Sequence, residues 1–127
     1  MRTLSIFYAV VGWGIVVLGS LHMLSTLRLL NSTPVFRLWF FGAGMAMALV
    51  GALNLLHRAY GPSALGLRIV CSVANILLLC FAVIAGALTT SSLLERALIV
   101  ALIGSATILS FLPSARNGSL PPQTSKA

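Results

Sequence analysis

The sequence predicts an all-α protein, a polytopic membrane bundle of four transmembrane helices, and three observations lead there. Of its 127 residues, 59% are hydrophobic and only 7% are charged, against about 25% charged in an ordinary soluble domain. The charged residues punctuate the chain at near-regular intervals: Arg2, Arg28 with Arg37, Arg58 with Arg68, Glu95 with Arg96, and Arg116 with Lys126. Between these marks lie four apolar runs, each able to cross roughly 30 Å of hydrocarbon, which takes about 20 helical residues. Strands are a poor alternative, because the runs do not alternate apolar and polar residues and so few segments could not close a barrel.

The first helix is expected over residues 4–27. Arg2 ahead of an apolar stretch resembles a signal peptide, but the run is longer than the usual core of about 7–15 residues and no Ala-x-Ala closes it, so it is expected to stay as a span. Ser32 or Thr33 followed by Pro34 starts the second helix, over residues 34–56. A hydroxyl there can accept a free amide, and proline fits the first turn where its missing donor is not needed. Gly61, Pro62 and Ser63 make the turn before the third helix, over residues 64–89. Ser92 with Glu95 fits a capping box opening the fourth, over residues 93–112, which Pro113 ends. Residues 1–113 thus form the helical domain, and the polar segment 114–127, with Pro121 and Pro122, is expected to be a disordered tail.

Basic residues set the expected orientation. Arg2, Arg58, Arg68, Arg116 and Lys126 fall on the side of the termini, and Arg28, Arg37 and Arg96 on the other, which places both termini in the cytoplasm. Seven arginines against one lysine, with abundant Ala, Leu and Gly, associate with a GC-rich bacterial genome and hence with a bacterial inner membrane. The net charge of +7 is scattered singly over both faces, so no nucleic-acid patch is formed.

Side chains able to do chemistry are few. Cys71 and Cys80 stand about 180° apart on one helix and roughly 13.5 Å along it, too far for a disulfide, and read as small apolar filler. His22 and His57 should lie near opposite faces, His57 as an interfacial residue beside Arg58, with nothing at either level to complete a metal site. Glu95, the only acid, reads as a cap at the mouth of the fourth helix. A four-helix multidrug exporter would carry a carboxylate inside its first helix, and residues 4–27 contain none.

Polar residues within spans are the remaining candidates. Asn54 lies about 5 Å and Asn75 about 10 Å inside the boundary marked by His57 and Arg68, close enough in depth to meet. An amide in hydrocarbon must find a partner, so the pair reads first as interhelical glue and second as a ligand or ion site. His22, with Ser25 and Thr26 on its face and Arg37 and Trp39 expected nearby, completes the candidate polar set. Small residues supply the packing pattern: Gly44, Ala48 and Ala52 repeat at four, with Gly51 beside them and Gly42 opening a second stripe with Ala46. Such stripes let helix backbones approach closely in lipid.

His22, the Thr33-Pro34 turn, Leu38-Trp39-Phe40, Gly42-Ala43-Gly44, and Gly51 with Asn54-Leu55 resemble the pattern of small uncharacterised bacterial four-helix membrane proteins, some loosely grouped as DoxX-like. The resemblance covers the first half of the chain and implies no activity. With no catalytic constellation, no metal set and no implied cofactor, the expectation is a non-enzymatic accessory or assembling subunit of a larger membrane complex, touching lipid and either a protein partner or a second copy. Two alternatives stay open: a small oligomeric transporter or channel using His22, Asn54 and Asn75 as a polar path, and a binder of quinone, haem or lipid between helices.

Overall fold

The computed structural model describes residues 2–89 and 92–116. Among them are four helices, α1 (Arg2–Ser25), α2 (Pro34–Tyr60), α3 (Leu65–Leu88) and α4 (Leu93–Phe111), with single 3-10 turns at Thr26–Arg28 and Pro113–Ala115. All four are long and apolar enough to cross a membrane. Contacts that pair Gly19 with Gly44, Tyr8 with His57, Ser72 with Ser110 and Gly86 with Arg96 make the two hairpins antiparallel. One end of the bundle therefore gathers the start of α1, the turn between α2 and α3, and the end of α4; we term it the terminal end. The other carries the connections from α1 to α2 and from α3 to α4, and is the loop end.

Local chemistry fixes the boundaries. Thr33 accepts the Phe36 amide at 3.3 Å through its hydroxyl, and Pro34 opens the first turn of α2. Ser92 accepts the Glu95 amide at 3.2 Å and so starts α4. The second helix runs past residue 56, where its apolar stretch ends, to Tyr60. The extension holds because both polar side chains find partners on α1: His57 meets Tyr8, and the Arg58 guanidinium donates to the Ser5 carbonyl at 2.7 Å and hydroxyl at 3.0 Å.

The tightest seam joins α1 to α2. A Cβ added to Gly19 would sit 2.6 Å from the Gly44 carbonyl oxygen and from the Ala48 nitrogen, and one on Gly44 would sit 2.8 Å from backbone atoms of Gly19 and Met23. Gly51 is similarly pressed against the backbone of Val16 and Gly12. Two of the expected packing residues stand off this seam: Gly42 has nothing within 4 Å of an added Cβ, and Ala52 is exposed. At 100° per residue, Ala48 and Gly51 fall within about 40° of Gly44, whereas Ala52 is turned by about 80° and Gly42 by about 160°. The stripe is thus Gly44, Ala48 and Gly51, a spacing of four then three.

Beside this seam α1 contributes Tyr8, Val11 and Ile15 to a core shared with Met47, Leu78, Ile103, Ala106 and Leu109. Ala115, in the 3-10 turn after α4, is fully buried in the same core. The chain therefore does not leave the bundle at Pro113, as the polar composition of residues 114–127 implied. A proline lacking an amide ends the α-helix, but its fixed φ suits a 3-10 turn that folds a small methyl back under the helices. From residue 117 the expected tail lies outside the described residues. Outward faces carry large apolar side chains along every helix, Trp13, Leu49, Leu77 and Ile108 among them.

Candidate functional site

Asn54 and Asn75 meet in the terminal half of the bundle and exchange two hydrogen bonds, at 2.8 and 2.9 Å. Three neighbours that the sequence did not single out as a set join them: Tyr8, His57 and Cys71. The Tyr8 hydroxyl stands 2.7 Å from Asn54 Oδ1 and 2.9 Å from His57 Nδ1. Cys71 Sγ lies 3.5 Å from Asn54 Oδ1 and 3.6 Å from Asn75 Nδ2. All five residues are at most 1% exposed.

Proton positions in this cluster follow from one carbonyl. The Val50 oxygen, 2.8 Å from Asn54 Nδ2, can only accept, so the amide nitrogen of Asn54 must face it. Asn54 Oδ1 then faces Tyr8, which must donate to it. With its proton so committed, the Tyr8 oxygen accepts from His57, whose Nδ1 must carry the hydrogen. His57 Nε2 is left as an acceptor, buried without a hydrogen-bond partner among the described residues. Gly61 stands against this ring: an added Cβ would lie 2.7 Å from His57 Cδ2 and 3.0 Å from Arg116 Cδ. The arrangement is closed, each amide and hydroxyl bonding within the set, and acts as a hydrogen-bonded lock among α1, α2 and α3.

Sequence signals for the missing members existed. Asn54 with His57, and Cys71 with Asn75, are three and four residues apart and so share a helix face. A phenol inside an apolar run needs a partner when buried, and Tyr8 sits about 9 Å along the helix from Arg2, near the depth of the asparagines. Cys71 is a weak donor within the lock rather than apolar filler, and Cys80 on the same helix is exposed and free.

His22 is not part of that cluster. It lies towards the loop end, its ring stacked on Phe40 with centroids 3.7 Å apart, and it lines a cavity of about 660 Å³ among all four helices. Trp39, Phe40 and Met47 from α2 form one wall, and Phe81, Ala85 and Gly86 from α3 another. Ile99 and Ile103 of α4 close its depth, and Glu95, Arg96 and Thr89 give it a polar margin. The Arg96 guanidinium donates to the Thr89 carbonyl. The space exists because α2 is drawn to α1 by the glycine seam, while α3 turns small side chains, Ala82, Ala85 and Gly86, towards the gap. An added Cβ on Gly86 would make ordinary contact, 3.6 Å from Arg96.

Among the described residues no group of three or more His, Cys, Asp or Glu is arranged to hold a metal ion. Compared with family models, curated proteins and solved structures, the chain shows no match. Fold and geometry define the class that can be stated: a four-helix bundle with an apolar exterior, a polar lock at one end and an interhelical cavity at the other.

Proposed function

We propose that this chain is a multi-pass protein of the bacterial inner membrane, with both termini cytoplasmic, that holds an amphipathic small molecule of the quinone or isoprenoid-lipid kind in the loop-end cavity. The observation that carries the reading is the cavity itself: its volume falls in the ordinary range for small-molecule sites, its walls are aromatic and aliphatic, and a few polar groups converge at one margin. His22 is placed to hydrogen-bond an oxygen of the ligand's head, Phe40 and Trp39 to stack on a ring, and the apolar walls to take a tail. The protein acts by binding, without bond chemistry of its own. Assembly into a larger complex rests on exposed apolar side chains alone, which lipid covers equally well, so binding is the reading carried forward.

A short-chain quinone titrated into the protein in mild detergent tests it, with Trp13→Phe as background so that Trp39 reports. Saturable quenching that Ala85→Phe abolishes is the expected result. Unsaturable quenching, or quenching indifferent to Ala85→Phe, would refute the site. The orientation is tested separately: a cysteine replacing Asn31 should label with an impermeant reagent on intact cells and one replacing Ser63 should not.

A further inference from the structure

A second groove, about 350 Å³ in volume, lies between α3 and α4 at the terminal end. Arg68, Arg116, Ser72 and Ser110 line it, with the two hydroxyls 3.5 Å apart. Arg68 sits in the first turn of α3, whose N-cap residue Ala64 supplies no side-chain partner, so uncapped amides add partial positive charge at the same place. Arg116 follows the 3-10 turn, and its Nε is buried without a hydrogen-bond partner among the described residues. Burial, and then the neighbouring Arg68 guanidinium, pull Arg116 below the ordinary guanidinium value. Glu95, the only acidic side chain of the sequence, belongs to the opposite end of α4. Two guanidiniums that feel each other across a groove, with no carboxylate beside them among the described residues, are favoured by an anion placed between them.

We propose that this groove holds the headgroup of an anionic phospholipid, its phosphate between Arg68 and Arg116. Guanidinium forks match phosphate oxygens in pairs, and the half-buried Ser72 lies in the same groove to serve the glycerol, while the buried Ser110 hydroxyl donates to the Thr107 carbonyl at 2.7 Å. Ile69, Val73 and Ile76, four and then three residues apart, continue from Arg68 as one apolar stripe about 10 Å long, along which an acyl chain lies. A free phosphate would use the arginines and leave that stripe uncovered, which argues for the lipid. The inference rests on the bilayer reading given above but not on the loop-end cavity. It also fits the cytoplasmic side, where anionic lipid meets basic residues.

The full chain, reconstituted in vesicles of mixed phosphatidylcholine and phosphatidylglycerol and then extracted in mild detergent, is assayed for bound lipid by native mass spectrometry. Preferential retention of phosphatidylglycerol is expected. Arg68→Gln and Arg116→Gln should each weaken that preference roughly fivefold, the scale of one basic residue near an anionic surface. Arg28→Gln, which removes the same charge at the loop end, should leave it intact. Arg68 is exposed, so its variant carries the test even where Arg116→Gln disturbs folding. Equal retention of the two lipids, or an equal loss in Arg28→Gln, would overturn the proposal. Occupancy by inorganic phosphate without lipid preference would assign the groove to a free anion and overturn it too. Release of the wild-type protein by alkaline carbonate would defeat the bilayer reading itself, whereas firm insertion without lipid preference defeats this inference alone.

Discussion

At the terminal end of the bundle, Tyr8, Asn54, His57, Cys71 and Asn75 bond to one another and tie α1, α2 and α3 together, whereas at the loop end His22, Glu95 and Arg96 border some 660 Å³ of space. Both ends draw on the same sparse supply of polar side chains. The difference lies in what faces them. Amides and a phenol meet partners of complementary donor and acceptor character from three helices, so closing the gap pairs the amides and the hydroxyl and leaves only His57 Nε2 of the set without a partner among the described residues. At the loop end the imidazole stacks on Phe40 and the guanidinium donates to the Thr89 carbonyl, while aromatic rings and small residues line the space between the walls. Polar groups that bond one another across helices make a fastening, and polar groups set at the margin of an apolar space leave a cavity.

The comparison breaks most visibly at the seam that supports both ends. Gly19→Leu or Gly44→Leu drives a side chain into backbone that has no rotamer to escape with, and each should destabilise the bundle at or beyond the top of the about 1–3 kcal/mol typical of overpacking. Gly42→Leu should melt like the wild type in detergent, since nothing stands within 4 Å of an added Cβ. Matching losses in all three would put the seam on the wrong face of α2.

Next in size is the lock. Asn54→Leu strands the Tyr8 hydroxyl and the Asn75 amide, and should lower stability by about 1–3 kcal/mol. Asn75→Leu should cost a similar amount, and the double variant less than their sum, with a coupling of about 0.6–2 kcal/mol. A double-mutant cycle on thermal melting that closes with no coupling would dissolve the pair as a structural unit.

Tyr8→Phe follows, at roughly 1 kcal/mol, because one hydroxyl is lost while the ring still fills its place. Its melting temperature should fall between those of wild type and Asn54→Leu, and a larger drop than Asn54→Leu would make the phenol, not the amide, the centre of the cluster. The smallest effect belongs to the cavity. Gly86→Leu should stay within about 0.5 kcal/mol of wild type, as substitutions away from packed features do, while abolishing quinone quenching. A variant both destabilised and still able to bind would show that residue 86 packs instead of bordering a ligand.

Position along the bundle axis is legible in this sequence, and position around each helix is much less so. Caps at Thr33 and Ser92, the Gly61 turn and the shared depth of Asn54 and Asn75 all follow from spacing, because rise per residue is constant in a helix. Azimuth depends on which neighbour a helix selects, and that selection came from contacts no periodicity reveals. Ala52 continues a repeat of four yet drifts off the seam, since three and a half residues, not four, return a helix to the same close-packed line. His57 sits where an apolar run stops and reads as a boundary residue. Its burial required Tyr8 on another helix to offer an acceptor. The cavity was the least legible feature, being made by side chains that are small on facing helices and by a separation set elsewhere.

The 3-10 turn after α4 has a practical consequence for anyone fusing a reporter to this chain. Ala115 is fully buried and Arg116 borders the terminal-end groove, so the fold extends two residues beyond the point where hydropathy falls away. A fluorescent or affinity tag joined at residue 113 would remove a methyl from the floor of the core and a guanidinium from its rim, and would report on a bundle whose underside had been opened by the fusion itself.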